Sequence, residues 1–168
     1  MNKPKLIVLK KLNLTNDISK KYMSWMNDFE VFKFTRQKGK NHSLDDIKKF
    51  VKEKNKSKNE FLYGIFLNKN NSKKHIGNIK LGPINFRLKS SDISYFIGDK
   101  KLWGHGYSTL AIAELIKIAK KKKLEKLRAL AHEINIGSKI VLIKNGFKKK
   151  GNLKKIKTAE IYIKLLNT

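Results

Sequence analysis

The sequence predicts a mixed α/β fold, one domain over residues 1–168 built on a mostly antiparallel sheet. Three observations predict it. Strand-like and helix-like segments follow the order β α α β β β α β α β. Two of the strand-like runs, Ile93–Gly98 and Lys126–His132, are joined by a helical run, the pattern of a parallel crossover. A length of 168 residues suits one domain and leaves little room for two.

The elements follow in order. Lys5–Leu12 (KLIVLKKL) reads as a first strand. Asp17–Met26 carries Ile18, Tyr22 and Trp25 at helical spacing, with Asn16 or Asp17 as cap, and Asn27-Asp28 ends it. Ser43-Leu44-Asp45-Asp46 opens a second helix, with acids in its first turn, that runs to about Ser57 with Ile47, Phe50 and Val51 on one face. Glu60–Asn68 is strand-like and ends at Asn70-Asn71, a hairpin signal. His75–Asn85 and Ile93–Gly98 continue the sheet. A helix runs from Tyr107 to about Lys122, then a strand over Lys126–His132. A short helix from about Gly137 to Lys144 ends at Asn145-Gly146, a C-cap signal. Ala159–Leu166 alternates as a last strand, with room for a short strand after Phe147.

Composition narrows the function classes. Hydrophobic residues make up 40% of the chain, enough for a core, so disorder is a poor reading. The absence of cysteine excludes a disulfide scaffold, thiolate zinc and a cysteine nucleophile. No apolar run approaches the roughly 18 residues of a membrane span, and the apolar run near the start is too short for a signal peptide. The expected compartment is the cytoplasm. Lys plus Arg is 40 against 13 acids, a net charge of +27 that attracts polyanions and phosphorylated metabolites. Only Arg36, Arg87 and Arg128 supply the planar fork that reads bases and phosphates, which argues against a nucleic-acid reader. The lysines are spread along the chain, consistent with either a solvated surface or a cleft that concentrates an anion.

The sharpest local feature is Trp103-Gly104-His105-Gly106-Tyr107-Ser108, between a strand and a helix. Its glycines allow a tight turn and close ligand approach. The helix that follows begins with unpaired amides and a positive dipole end, a place for pyrophosphate. A plain β-to-α turn is the alternative. A P-loop string is absent, and the third glycine of a Rossmann fingerprint is replaced by Thr109.

ISYFIGDKKLWGHGYSTLAI, followed by NIGSKIVLIKNGF, resembles the GNAT superfamily of acetyl-CoA-dependent N-acetyltransferases. The superfamily's Q/R-x-x-G-x-G/A loop falls on Trp103, Gly106 and Ser108, with only the central glycine a strict match. A second motif, N-x-x-S then G-F, falls on Asn135, Ser138, Gly146 and Phe147. Ile76–Asn85 and Tyr22–Asp28 look like the branch of ribosomal-protein alanine acetyltransferases and amino-sugar acetyltransferases.

The resemblance implies a GNAT fold with a splayed parallel strand pair and acetyl-CoA as cosubstrate. It implies that pantetheine lies along Tyr95, Phe96 and Ile97, with pyrophosphate on amides from Trp103 through Gly104, His105, Gly106, Tyr107 and Ser108. Asn135 would hold the pantetheine from the far side, and the Ile97 N–H would stabilise the oxyanion. The family's base position falls on Asp92, which also reads as a turn residue. Its usual tyrosine acid falls on Leu142. Ser138 is then a hydrogen-bond donor to the sulfur, or a helix cap. His105 sits where a lysine is common and reads as phosphate-facing. Trp25, Asn27, Phe32 and Arg36 lie where the acceptor wall forms, or are ordinary core.

The four histidines are scattered without a helical pair, so no metal is expected. The expected acceptor is the amine of a nucleotide-linked amino sugar. A protein N-terminus of the ribosomal-protein type is the alternative, and a non-catalytic anion- or RNA-binding fold is a third. Nucleic acid and membrane are not expected partners, and the protein is expected to be a monomer or homodimer.

Overall fold

The computed structural model describes residues 6–35, 37, 39–69 and 72–166. Seven strands, β1 (Ile7–Lys10), β2 (Phe61–Lys69), β3 (Ser72–Asn85), β4 (Ser90–Ile97), β5 (Lys126–His132), β6 (Lys148–Leu153) and β7 (Ile156–Leu165), form one sheet in the order β1-β2-β3-β4-β5-β7-β6. Every neighbouring pair is antiparallel except β4 and β5. The lysine-rich run after Phe147 does form the extra strand, β6, held at the edge by β7. The expected turn at Asn70-Asn71 lies outside the described residues.

Among the described residues, five α-helices cover the two faces: α1 (Lys20–Met26), α2 (Phe29–Phe32), α3 (Leu44–Lys56), α4 (Tyr107–Lys121) and α5 (Ile136–Lys144). One buried cluster joins the sheet to α4 and α5 through Ile79, Ile93, Ile112, Leu115 and Leu142. A second joins the other face to α1 and α3 through Tyr22, Trp25, Ile47, Val51 and Phe66. β4 serves both, because side chains alternate along a strand. Ile93, Tyr95 and Ile97 face the first cluster, and Phe96 packs on the second.

Local chemistry sets the helix starts. Ser43 and Asp46 form a reciprocal capping box at α3, with Asp46 N–H on Ser43 Oγ at 3.1 Å and Ser43 N–H on Asp46 Oδ2 at 2.9 Å. The cap of α1 is Ser19, not Asn16 or Asp17. Asp17 is drawn inward instead, accepting from the Asn13 N–H at 2.7 Å and from Lys10. Asp28, which ends the first helical pattern, also starts α2 by accepting from the Glu30 N–H at 2.9 Å. The two short helices meet there at a bend that turns the following segment toward β4.

Candidate active site

The β4–β5 ladder pairs only Ser90–Ile93 with Lys126–Ala129. Beyond Ile93 and Ala129 the strands part. A cleft of about 570 Å³ opens there, floored by Tyr95, Phe96 and Ile97. The antiparallel ladder on the other side fixes which main-chain groups face it. Gly98 N–H donates to Ile76 O at 2.9 Å, and Gly77 registers with Ile97. Phe96 and Gly98 therefore turn their amides toward β3, whereas Tyr95 and Ile97 turn theirs toward the cleft. The Ile97 carbonyl accepts from Trp103 Nε1 at 2.8 Å, which confirms the phase. The indole bond uses the carbonyl and leaves the Ile97 N–H for a ligand.

One wall is the loop from Trp103 to Thr109. Gly104 and Gly106 both lie at left-handed φ, +79° and +78°, where L side chains are strained. A Cβ at either position would meet open space. Gly106 is the N-cap of α4 and has no side chain to occupy the first turn. The first bond of the helix is Leu110 N–H to Gly106 O at 3.1 Å. The amides of Tyr107, Ser108 and Thr109 thus have no partner within the helix. Lys144 lines the same cleft from α5, adding positive charge to the helix dipole.

The second wall is α5. Asn135 caps it by accepting the Ser138 N–H at 3.1 Å, so Asn135, not Ser138, is the cap. This bond occupies Oδ1 and leaves the amide nitrogen for a ligand. The Ser138 hydroxyl instead meets the Tyr95 hydroxyl at 2.9 Å, and the Tyr95 O–H also reaches the Ser138 carbonyl at 3.3 Å. Burial pushes the Tyr95 phenol up to about 12, against the Ser138 hydrogen bond, which lowers it. Leu142 is fully buried in the core and offers nothing to the cleft.

The mouth is formed by Glu30, Val31, Lys33, Phe34 and Thr35. Glu30 pairs with Lys33 at 2.7 Å. Phe34 lies against His132, with ring centroids 5.4 Å apart.

The expected residues divide accordingly. Tyr95, Phe96, Ile97, Trp103, Gly104, Gly106, Tyr107, Ser108, Asn135 and Ser138 all line the cleft. His105 does not; it is exposed and stacks on Tyr107 at 5.9 Å. Asp92 does not line the cleft either. It receives Arg128 Nε at 2.7 Å and Arg128 Nη2 at 2.6 Å.

Trp25, Asn27 and Phe32, expected in an acceptor wall, are not among the residues that line this cleft. Trp25 is core, 5% exposed, packed edge-on to His75, and it fills the space where a Gly98 side chain would lie. Asn27 clamps the main chain of His42, with Nδ2 donating to His42 O at 2.9 Å and Oδ1 accepting its N–H at 2.7 Å. Phe32 is buried against Phe96 at 5.0 Å. Arg36 lies outside the described residues. Sequence reading missed Glu30, Phe34 and Lys144, which are single side chains without a motif. Glu30 and Phe34 reach the site only through the bend between α1 and α2. Among the described residues, no three His, Asp or Glu side chains gather as metal ligands, and no helix is long and apolar enough to cross a membrane.

Parted parallel strands, a glycine loop and an open helix start thus meet at one cleft with main-chain donors turned into it. Residues 7–148 match the acetyltransferase (GNAT) domain family, and the chain belongs to it. It is an acetyl-CoA-dependent N-acetyltransferase.

Among solved structures, the microcin self-immunity acetyltransferase MccE, in complex with acetyl-CoA and AMP, is similar at 18% identity and a TM-score of 0.79, covering 96% of this chain and 93% of that one. The spermidine N-acetyltransferase of Vibrio cholerae, in complex with CoA and spermine, is similar at 15% identity and 0.80, covering 96% of each. A domain from Methanocaldococcus jannaschii is similar at 21% identity and 0.79, covering 95% of this chain and 98% of that one. These likenesses establish the fold. No curated protein sequence matches the chain.

The cleft fits acetyl-CoA. The space at Gly104 and Gly106 is open, the amides of Tyr107 to Thr109 and the Lys144 ammonium on the same cleft suit a pyrophosphate, and the Ile97 N–H is free of the indole bond. The cosubstrate supplies an acetyl thioester, which an amine attacks directly.

Proposed function

We propose that this enzyme acetylates, in the cytoplasm, the amine of an amino sugar carried on a nucleotide. The observation that carries the reading is the cleft where β4 leaves β5, with the Ile97 N–H turned into it and an aromatic, charged mouth above. Two features favour this acceptor class. A net charge of +27 attracts a nucleotide diphosphate and repels a polyamine. Phe34 and His132 present ring surfaces suited to a sugar face.

The residues divide the work. The Ile97 N–H holds negative charge at the thioester carbonyl oxygen. The amides of Tyr107 to Thr109 and Lys144 hold the pyrophosphate. Asn135 orients the pantetheine, and Ser138 Oγ faces the sulfur. Glu30 is the carboxylate among the described cleft-lining residues, and it takes the ammonium proton, directly or through water.

The test is thiol release from acetyl-CoA with three sets of acceptors: nucleotide amino sugars, polyamines and ribosomal-protein N-terminal peptides. Turnover with the sugars, and a KM for them that rises with salt, is the expected result. Turnover with peptides alone would replace this reading by the protein-acceptor one, and turnover with polyamines alone would remove the charge argument.

A further inference from the structure

The chain lacks the tyrosine that the resemblance leads one to expect on α5, because Leu142 stands there and is buried in the core. A tyrosine nevertheless enters the cleft from its floor. Tyr95 comes from β4, beyond the last residue paired to β5, and its hydroxyl crosses to α5 to meet Ser138 Oγ at 2.9 Å. Both residues line the cleft.

We propose that Tyr95 is a positioning residue: it donates its proton to Ser138 Oγ and thereby turns the Ser138 proton toward the departing sulfur. This rests on the reading of the cleft as the acetyl-CoA site with Ser138 at the sulfur. Without a sulfur beside it the pair can run the other way, with Tyr95 O–H on the Ser138 carbonyl at 3.3 Å and Ser138 donating to Tyr95; a sulfur that accepts the serine O–H leaves Tyr95 O–H the shorter, 2.9 Å contact to Ser138 Oγ.

The step balances without a proton donor in the protein. The amine nitrogen bonds to the acetyl carbon, and its proton passes to Glu30 or solvent. The carbon–sulfur bond then breaks, and its electron pair stays on sulfur as thiolate. Ser138 donates a hydrogen bond to that thiolate and keeps its own proton, since both hydroxyls hold protons more tightly than a thiol of pKa about 8.5. The Tyr95 phenol, pushed up to about 12, stays protonated throughout the working range and remains a donor. The pair therefore stabilises charge on the leaving group, and solvent protonates it later.

The test uses coenzyme A and desulfo-coenzyme A, which lacks the sulfur, binding to the full chain at pH 9.5. The wild type should bind the thiolate form about 10-fold or more tighter than desulfo-coenzyme A, the scale of one hydrogen bond to a charged group. Tyr95→Phe should lose most of that preference, bind desulfo-coenzyme A as the wild type does, and lower kcat about 10-fold with KM for acetyl-CoA within two-fold. The unchanged desulfo-coenzyme A affinity certifies the fold of the variant. Ser138→Ala should give the same losses, and the double variant should lose no more than either alone.

A Tyr95→Phe enzyme that keeps both its kcat and its preference for thiolate would overturn the proposal while leaving Ser138 in place. A wild type that binds the two ligands equally, or a Ser138→Ala enzyme at full kcat, would remove the placement of Ser138 at the sulfur, and the proposal with it. Loss of desulfo-coenzyme A binding in Tyr95→Phe would make Tyr95 a packing residue of the cleft floor and also overturn the proposal.

Discussion

Arg128 grips Asp92 with two nitrogens, Nε on one carboxylate oxygen at 2.7 Å and Nη2 on the other at 2.6 Å, where the two strands register with each other. One guanidinium thus occupies both carboxylate oxygens of Asp92. The pair is half-exposed and lies at the closed end of the parallel ladder, outside the cleft lining. Asp92→Asn is therefore expected to leave kcat/KM within about two-fold and to cost no more than about 1 kcal/mol of stability. Glu30→Gln is expected to lower kcat/KM about 10-fold or more. Paired kcat/KM measurements on the two variants check this. A reversed order of effects would return Asp92 to the role of base.

Gly106 stands at φ +78° with open space around a would-be Cβ, at the start of α4. Gly106→Val should cost roughly 1–3 kcal/mol in backbone strain and put a branched side chain at the phosphate position. Affinity for coenzyme A, read by calorimetry, should fall more than 10-fold. Wild-type affinity in a folded variant would displace the pyrophosphate from this loop.

Asn27 closes both main-chain groups of His42 with one amide side chain. Asn27→Ala should destabilise the chain by about 1–2 kcal/mol, the worth of two partly exposed hydrogen bonds. Its effect on acceptor KM should exceed its effect on KM for acetyl-CoA, because the clamp closes the chain that leads from the cleft mouth into α3. Urea melts and the two KM values together decide it.

Glu160 on β7 is buried and receives Lys149 at 2.6 Å, the Tyr162 hydroxyl at 2.8 Å and Lys139 of α5 at 3.4 Å. Lys149 first, then Tyr162, holds its carboxyl down to about 2, from an ordinary 4.5. A carboxylate depressed on folding contributes stability that is fully present above its unfolded value and lost as pH falls toward the folded one. Glu160→Gln should therefore melt below the wild type at pH 7, and the gap should close between pH 4.5 and about 2. A gap independent of pH would assign the effect to packing instead.

Much of this molecule is written locally. The strands Glu60–Asn68 and His75–Asn85 are visible because their apolar residues crowd between turn residues, and they fold within a residue or two of those limits except where β3 begins earlier, at Ser72. The loop at Gly104 and Gly106 is legible for the same reason: its left-handed turns depend on main-chain freedom, which glycine announces. The acceptor side is not local. Trp25 and Asn27 look like a wall in one dimension, but packing against Gly98 and pairing with His42 occupy them. Glu30 and Phe34 come to the mouth through α2, a four-residue helix too short to leave a periodic trace. The partnership of Tyr95 and Ser138 spans 43 positions and joins a strand to a helix, so no spacing rule points to it.

The parallel ladder that stops at Ile93 and Ala129 is also the seam between two halves of the molecule. Strands β1 to β4 lie on one side of it and β5 to β7 on the other, and along the sheet only those few rungs stitch them together. Such a joint can rock about its closed end, widening the open end enough to admit a bulky carrier and release it again. Deuterium uptake should then be faster at the amides of Tyr95 and Ile97 than at those of the paired rungs, and the carrier, once seated, should slow it.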